Sequence, residues 1–232
     1  MTRPVSAAVL ACLLALLAGL ASAGAPPDRA DMNAYPADRI LPFWRQYTGE
    51  GSGAELPFMP AYRIEPAPDG PTASSGFWLE GQDGRLHPLG VDAEGYLQLP
   101  PEARQAGEMT RQTRVWHAAG IALPAIRLEI HLQLDPAERY QVADLAAAVA
   151  AMDRFQRRAM GLAALMAPRF DVIVFRFDGA APDGWIVTGD GRRRELSAFH
   201  DTLSVRMTGR AARSGGTVML GSAPRRVVLE AR

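Results

Sequence analysis

The fold of this chain is decided by a stretch that occurs twice, GFWLEGQDGRLHPL at residues 76–89 and GWIVTGDGRRREL at residues 184–196. Each copy holds an aromatic-containing run, an Asp-Gly-Arg turn and a second run that ends in leucine. Asp-Gly between short apolar runs is a strong β-hairpin signal, because both central residues of a type I′ turn need positive φ. With a one-residue gap, the copies align Phe77 with Trp185. The repetition predicts the same small β unit built twice.

Residues 125–134 alternate strictly between apolar and polar side chains. This period of two predicts a half-buried strand with a wet outer face that carries Glu129 and His131. Residues 171–177, DVIVFRF, form a nearly continuous apolar run, which is typical of an interior strand.

A helix is predicted between these two strands. Asp135 and Pro136 offer an N-cap and a proline at the first helical position, and apolar residues then recur at three- and four-residue intervals. Pro168 ends the pattern, and Gly161 can kink or split the helix. The succession of strand, helix and strand predicts a crossover over a shared sheet.

We therefore predict an α+β fold with two antiparallel β-rich, sandwich-like units joined by one long helix that packs on the sheet, and the repeated stretch favours a duplication of one unit. The predicted segments are a signal peptide (1–23), a Pro/Gly-rich leader or linker (24–57), a first β-rich unit (58–135), a connecting helix (136–168) and a second β-rich unit (169–232).

The first residues have the layout of a cleavable secretory signal. A short polar start is followed by an apolar run from Ala7 to Leu20 and by small residues that end at Ala23. We expect cleavage near Ala23 and a periplasmic or secreted location, in a Gram-negative cell envelope. An uncleaved anchor is the alternative, but the run is shorter than the roughly 20 residues of a spanning helix.

The leader contains ADRILPFWRQY at residues 37–47, which is too apolar to be left in water. We expect it to pack onto the body of the protein. The alternative is a docking peptide for a partner.

Composition excludes several kinds of chemistry. Cys12, within the predicted signal, is the only cysteine, so the mature chain offers no disulfide, thiolate nucleophile or cysteine metal ligand. All 25 residues in the Lys+Arg count are arginine, which excludes Schiff bases and Ser-Lys dyads. Acids and bases cancel, so we expect no nucleic-acid partner. No later segment is long and apolar enough for a transmembrane span.

Two histidine groups are candidate sites. Glu129 and His131 lie two residues apart on one strand face, where they can form a general base with its orienting carboxylate, or a plain ion pair. His87, Asp92 and Glu94 flank the first hairpin and are weak candidate metal ligands, although no typical metal-binding spacing is present.

Arg192, Arg193 and Arg194 form the sharpest charge cluster, directly after the second Asp-Gly turn. Arginine suits bidentate contact with phosphate or carboxylate groups, so the triplet is a candidate anion site. A solvated hairpin end is the alternative.

Three functions follow from these observations. The first is a non-catalytic binding or scaffolding module of the cell envelope, with an envelope protein as partner and no cofactor. The second is an envelope hydrolase or metal-dependent enzyme that uses His131 with Glu129, or His87 with Asp92 and Glu94. The third is a carrier of a small anionic ligand that uses the arginine triplet.

Overall fold

A computed structural model describes most of the chain beyond the predicted signal. The described residues are 28–49, 56–65, 76–92, 94–101, 103, 109–120, 122–207 and 215–231. The predicted signal segment, Cys12 and the first residues of the leader lie outside this part of the chain.

The described chain contains sixteen strands and three α-helices. The helices are α1 (Ala37–Ile40), α2 (Trp44–Thr48) and α3 (Val142–Met160). The first eight strands are β1 (Met32–Pro36), β2 (Phe58–Glu65), β3 (Phe77–Glu80), β4 (Leu86–Pro88), β5 (Gly90–Val91), β6 (Leu97–Gln98), β7 (Arg114–Ala118) and β8 (Ala125–Leu132). The other eight are β9 (Arg139–Gln141), β10 (Phe170–Arg176), β11 (Gly184–Thr188), β12 (Arg193–Glu195), β13 (Ser197–Phe199), β14 (Thr202–Arg206), β15 (Gly216–Leu220) and β16 (Arg226–Ala231).

The strands form antiparallel sheets on which α3 packs, which confirms the predicted α+β fold. A six-stranded sheet has the order β13-β14-β10-β16-β8-β2, and β5 pairs with β6 beside it. Two four-stranded sheets have the orders β1-β7-β3-β4 and β12-β11-β15-β9. The predicted crossover is also confirmed, because β8 and β10 flank β16 in one sheet. In the described residues, no helix has the length and apolar character to span a bilayer.

The same set of elements occurs twice along the chain. Counting only described residues, one strand precedes a helical segment and seven strands follow it between residues 32 and 132, and again between residues 139 and 231. If each strand of the first repeat is matched to the strand of the second repeat that is numbered eight higher, β1-β7-β3-β4 corresponds to β9-β15-β11-β12. The two four-stranded sheets therefore have the same strand order. The repeated hairpin therefore belongs to a repeated fold, and both repeats contribute strands to the six-stranded sheet.

The two copies of the hairpin superpose without the gap that the sequence alignment introduced. Leu89 N donates to Phe77 O in the first hairpin, and Leu196 N donates to Gly184 O in the second, at 2.8 and 2.9 Å. This constant offset of 107 residues aligns Trp185 with Trp78 rather than with Phe77. The alignment of Phe77 with Trp185 was wrong because it matched aromatic residues instead of backbone positions.

The leader takes the place in the first repeat that α3 takes in the second. Its strand β1 pairs with β7, as β9 pairs with β15. Leu41 and Trp44 are buried in the core, and Trp44 Nε1 donates to Ala103 O at 2.8 Å. The expected packing of residues 37–47 onto the body is confirmed.

Helix α3 begins at Val142, several residues after the predicted start. Residues 139–141 pair with β15 instead, so strand pairing in the sheet overrides the local capping signal of Asp135 and Pro136. The α-helix ends at Gly161, where φ is +57°, and a 3₁₀-helix continues to Leu165. Gly161 thus splits the helical segment, as the sequence suggested.

The two repeats meet at the centre of the six-stranded sheet. Arg63 lies opposite Arg127 in the first repeat, and Arg176 lies opposite Arg226 in the second. In both repeats, the residue that follows the first of these arginines donates its backbone N–H to a backbone carbonyl of the next hairpin. The N–O distance is 2.8 Å in the first repeat and 2.9 Å in the second. These matched contacts set the correspondence between β8 and β16.

By that correspondence, Ile130 and Leu229 occupy equivalent positions, three residues after the second arginine of each repeat. They also lie opposite each other where β8 pairs with β16. A local twofold axis therefore passes through this pair. Both side chains are almost fully buried, so the seam between the repeats is an apolar contact at its centre.

Replacing Ile130 with alanine tests this seam. A buried isoleucine truncated to alanine costs about 2–5 kcal/mol, because apolar contacts are lost and a cavity remains. We expect a loss in that range by urea denaturation, with one shared midpoint for tryptophan fluorescence and far-UV circular dichroism. Ile126→Ala is the matched control on the same face of β8, and it should cost less than half as much because Ile126 is only half-buried. If the Ile130→Ala variant kept the free energy of unfolding of the wild type and unfolded in two separate transitions, the repeats would not depend on this contact for their stability.

Candidate functional site

The outer face of the six-stranded sheet carries a cluster of polar side chains at the seam. Tyr96 follows β5, and its backbone bridges to Arg63 at the edge of the sheet. Its side chain reaches across the face to β8. Glu129 was predicted on a wet face, but it is only 3% exposed. That prediction was wrong because Tyr96 and Arg176 cover the carboxylate.

Glu129 is the centre of this cluster. Its Oε2 accepts hydrogen bonds from Tyr96 Oη at 2.7 Å and from Arg176 Nη1 at 3.0 Å. Its Oε1 accepts from Arg176 Nη2 at 3.1 Å. Burial alone would raise the pKa of Glu129, but the contacts with His131, Tyr96 and Arg176 outweigh it and lower this pKa to about 2. The group is therefore a fixed carboxylate at neutral pH.

His131 lies beside this carboxylate, as the sequence predicted. Its Nε2 is 3.5 Å from Glu129 Oε2. Its ring packs edge to face with the Tyr96 ring, and the two ring centres are 4.9 Å apart. Burial lowers the pKa of His131, and the charges of Arg226 and Arg176 lower it further, while Glu129 opposes the shift. The imidazole is thus neutral at pH 7, and Nε2 is buried.

Further charged contacts lie next to Tyr96 and Arg176. The Arg226 guanidinium lies 4.5 Å from the centre of the Tyr96 ring, and Arg226 Nη1 is 2.9 Å from Glu94 Oε2. Arg225 Nη1 is 3.5 Å from Glu94 Oε1, and Arg176 Nη2 is 3.3 Å from Glu230 Oε1. The contacts of Glu94 attach the loop after β5 to the start of β16, and the contact of Arg176 with Glu230 joins β10 to the end of β16.

The cluster is not symmetric about the local twofold axis. Val228 occupies the position equivalent to Glu129, and Thr202 lies opposite Arg176 as Tyr96 lies opposite Arg63. The ion pair between Glu129 and Arg176 therefore has no counterpart across the axis, where Val228 and Arg63 take the equivalent positions. Arg63 is exposed.

Beside the cluster lies a groove of about 610 Å³. Its floor is the outer face of β10, with Val172, Val174 and Arg176. Tyr96 and its loop form one wall, and Phe199 with its hairpin β13–β14 forms the other. Phe199 is 71% exposed at this wall. We call this feature the sheet groove.

His87, Asp92 and Glu94 do not come together. His87 lies in β4, opposite Leu79 in a different sheet. Asp92 Oδ1 accepts from the backbone N–H groups of Glu94 and Tyr96 at 3.0 and 2.9 Å, and therefore shapes the loop. Glu94 pairs with the arginines described above. In the part of the chain that the structure describes, no three His, Asp or Glu side chains group in a way that suits a metal ion.

The arginine triplet is likewise divided. Arg192 Nε lies 3.3 Å from Asp190 Oδ2 in the turn, and the Arg193 guanidinium stacks over the Trp185 ring at 3.6 Å. Arg194 follows Arg193 in β12 and so points to the opposite face of the strand. The three guanidinium groups do not converge on one site.

Three residues of the cluster were missed by sequence reasoning, namely Tyr96, Arg176 and Arg226. Arg176 carried a signal, because it is the single charge among the apolar residues 172–177 and must be paired when the strand is buried. Tyr96 and Arg226 are brought to the site by long-range pairing, which leaves no local pattern.

Comparisons with known proteins give no relative: no family model, curated protein or solved structure matches the chain. The function is therefore argued from the site itself.

Replacing Glu129 with glutamine tests the cluster. The pKa of Glu129 is lowered from 4.5 to about 2, so its ionised form stabilises the fold above pH 4.5, and this contribution is lost as pH falls toward 2. At pH 7 we expect Glu129→Gln to reduce the free energy of unfolding by about 3 kcal/mol. At pH 2.5 the wild type and the variant should differ by less than about 1 kcal/mol.

Glu65→Gln is the matched control on the neighbouring strand β2. The Glu65 carboxylate is half-exposed and lies 3.9 Å from Arg127, so its loss should cost less than about 1 kcal/mol at pH 7. Urea denaturation across this pH range gives both values. A Glu129→Gln effect that stays constant from pH 7 to pH 2.5 would argue against an ionised, paired Glu129.

Proposed function

We propose that this protein is a non-catalytic binding module of the cell envelope, and that it holds a segment of a partner polypeptide in the sheet groove. The envelope location rests on the signal-like segment at residues 1–23. The binding role rests on one observation, a groove of about 610 Å³ whose floor is fixed by the cluster around Glu129.

The groove has the properties of a preformed binding site. Its volume lies within the range of roughly 300–1,000 Å³ that is typical of ligand sites. Arg176 is held at the floor by Glu129 and Glu230, so the groove does not need to reorganise when a ligand enters.

The lining suits a polypeptide. Arg63 and Arg225 supply positive charge, Glu94 and Asp201 supply negative charge, and Phe199 offers an exposed aromatic ring. A peptide segment that carries side chains of both signs and an apolar residue matches this mixture. A simple anion would leave the two carboxylates facing it.

The state of Glu129 and His131 supports binding over proton transfer. A general base works best with a pKa near the operating pH, whereas the pKa of Glu129 is about 2. His131 is neutral, but its Nε2 is enclosed by the surrounding side chains. The pair is therefore better suited to hold the floor of the groove than to exchange protons with a substrate.

Site-specific photo-cross-linking in living cells tests this proposal. A photoreactive residue at position 199 should give a discrete adduct with one envelope protein, identified by mass spectrometry. The charge reversal Arg63→Glu, introduced into the same reporter chain, should reduce the adduct at least about threefold, because an ion pair at an interface is replaced by a repulsion.

The matched control places the same photoreactive residue at Gln112, an exposed turn position before β7 in another sheet. That position should give no adduct with the same partner. Equal labelling from positions 199 and 112, or no adduct above background at position 199, would overturn the proposal.

A further inference from the structure

The segment that follows α3 exposes three large apolar side chains. Leu162 is 87% exposed, Leu165 is 83% exposed and Met166 is 93% exposed. Leu162 and Leu165 lie in the 3₁₀-helix, and Met166 directly follows it. Exposed apolar groups of this size are costly in water, and a contiguous group of them marks an interaction surface.

The segment is held in a defined conformation. Gly161 has a φ of +57°, which ends the α-helix, and Met166 N donates to Ala163 O at 3.1 Å. Gln156, which is only 6% exposed, donates from its Nε2 to Pro168 O at 3.0 Å. This hydrogen bond links the far end of the segment to α3, so the turn that carries the apolar side chains is held at both ends.

Four arginines lie in the same segment of the chain as these apolar side chains, three before them in α3 and one after them. Arg154, Arg157, Arg158 and Arg169 are all exposed, and residues 154–170 contain no Asp or Glu. Arg157 pairs with Asp153, one turn before it in the helix. We call residues 154–169, with their three apolar and four basic side chains, the arginine-rimmed lobe.

A groove of about 480 Å³ adjoins the lobe and shares two of its arginines. Its lining includes the apolar side chains of Val149 and Phe170 and three arginines, Arg157, Arg169 and Arg206. Two carboxylates also line it, Asp153, which pairs with Arg157, and Asp171, which pairs with Arg206. Apolar side chains together with guanidinium groups match the division of a phospholipid into acyl chain and phosphate.

We propose that the arginine-rimmed lobe docks the protein on the surface of an anionic phospholipid bilayer. Leu162, Leu165 and Met166 enter the boundary between headgroups and acyl chains, and the arginines bind lipid phosphates. The lobe supplies both components of interfacial binding, namely apolar area and attraction to anionic lipid. It lies outside the sheet groove, so this inference stands independently of the partner proposed for that groove.

Charge favours a bilayer over a second copy of the chain. The whole chain has a formal net charge of +0 at pH 7, and so presents no general negative surface to four arginines. An anionic leaflet offers negative charge and an apolar phase at the same place. A dimer through the lobe would bring the like charges of two lobes together.

Vesicle co-sedimentation tests this proposal. The experiment uses the purified protein in the form that cells accumulate. The probe is a vesicle of phosphatidylglycerol and phosphatidylethanolamine, compared with a vesicle of phosphatidylcholine alone. We expect binding to the anionic vesicle, weaker binding to the neutral one, and a decline in binding as salt increases from 50 to about 500 mM.

Two variants separate the contributions. The variant L162S/L165S/M166S and the variant R154Q/R158Q/R169Q should each weaken binding to anionic vesicles by about tenfold or more. All six positions are exposed at the surface, so both variants should keep the unfolding midpoint of the wild type.

R192Q/R193Q/R194Q is the matched charge control. It removes three exposed arginines from β12 and its turn, at the edge of its sheet away from β9 and β15, which contact α3. This control should keep full binding. Equal loss from both arginine variants, equal binding to neutral and anionic vesicles, or a concentration-dependent dimer that only the serine variant abolishes would overturn the proposal.

Discussion

The ion pair between Glu129 and Arg176 is the interaction on which the outer face of the molecule depends. A buried carboxylate is unfavourable unless its oxygens are satisfied, and here Arg176 and Tyr96 supply three hydrogen bonds at 2.7–3.1 Å. Glu129 belongs to the first repeat and Arg176 to the second. The pair therefore links the halves of the chain through a polar contact, next to the apolar contact at the twofold axis. It also sets the position of Tyr96, and with Tyr96 one wall of the sheet groove.

The repeated fold explains why this site lies on one side of the seam. Two copies of one topology place equivalent backbone positions around a local axis, but the side chains at those positions differ. Glu129 is matched by Val228, and Tyr96 is matched by Thr202. One arginine of the equivalent pair is consequently locked into the cluster, while Arg63 remains exposed at the groove. A shared scaffold with unlike side chains thus gives pockets of different size on the two sides of the axis, about 610 Å³ beside β10 and about 150 Å³ beside β2.

Sequence reasoning succeeded where the determining interactions are local. The two Asp-Gly hairpins, the strand at residues 125–132 and the strand in the apolar run at residues 171–177 each depend on neighbours in the chain, and each lies where it was predicted. In the two hairpin turns only the glycine has positive φ, so they are not the expected type I′ turns. Glu129 and His131 were paired correctly because residues two apart in a strand share a face. The start of α3 was misplaced because residues 139–141 pair with β15, more than seventy residues later in the chain. The burial of Glu129 could not be read from the sequence for the same reason, since Tyr96 and Arg176 are remote from it.

The position of the last strand has a consequence for how the molecule assembles. Among the described strands, β16 comes last in the sequence, and it lies between β8 and β10 in the middle of the six-stranded sheet. Until it arrives, β8 and β10 each lack a neighbour, and the first repeat carries an open apolar edge. Closure of the sheet is thus a late, non-local step, and such steps are slow and prone to aggregation. The six-stranded sheet is therefore complete only once both repeats have been synthesised.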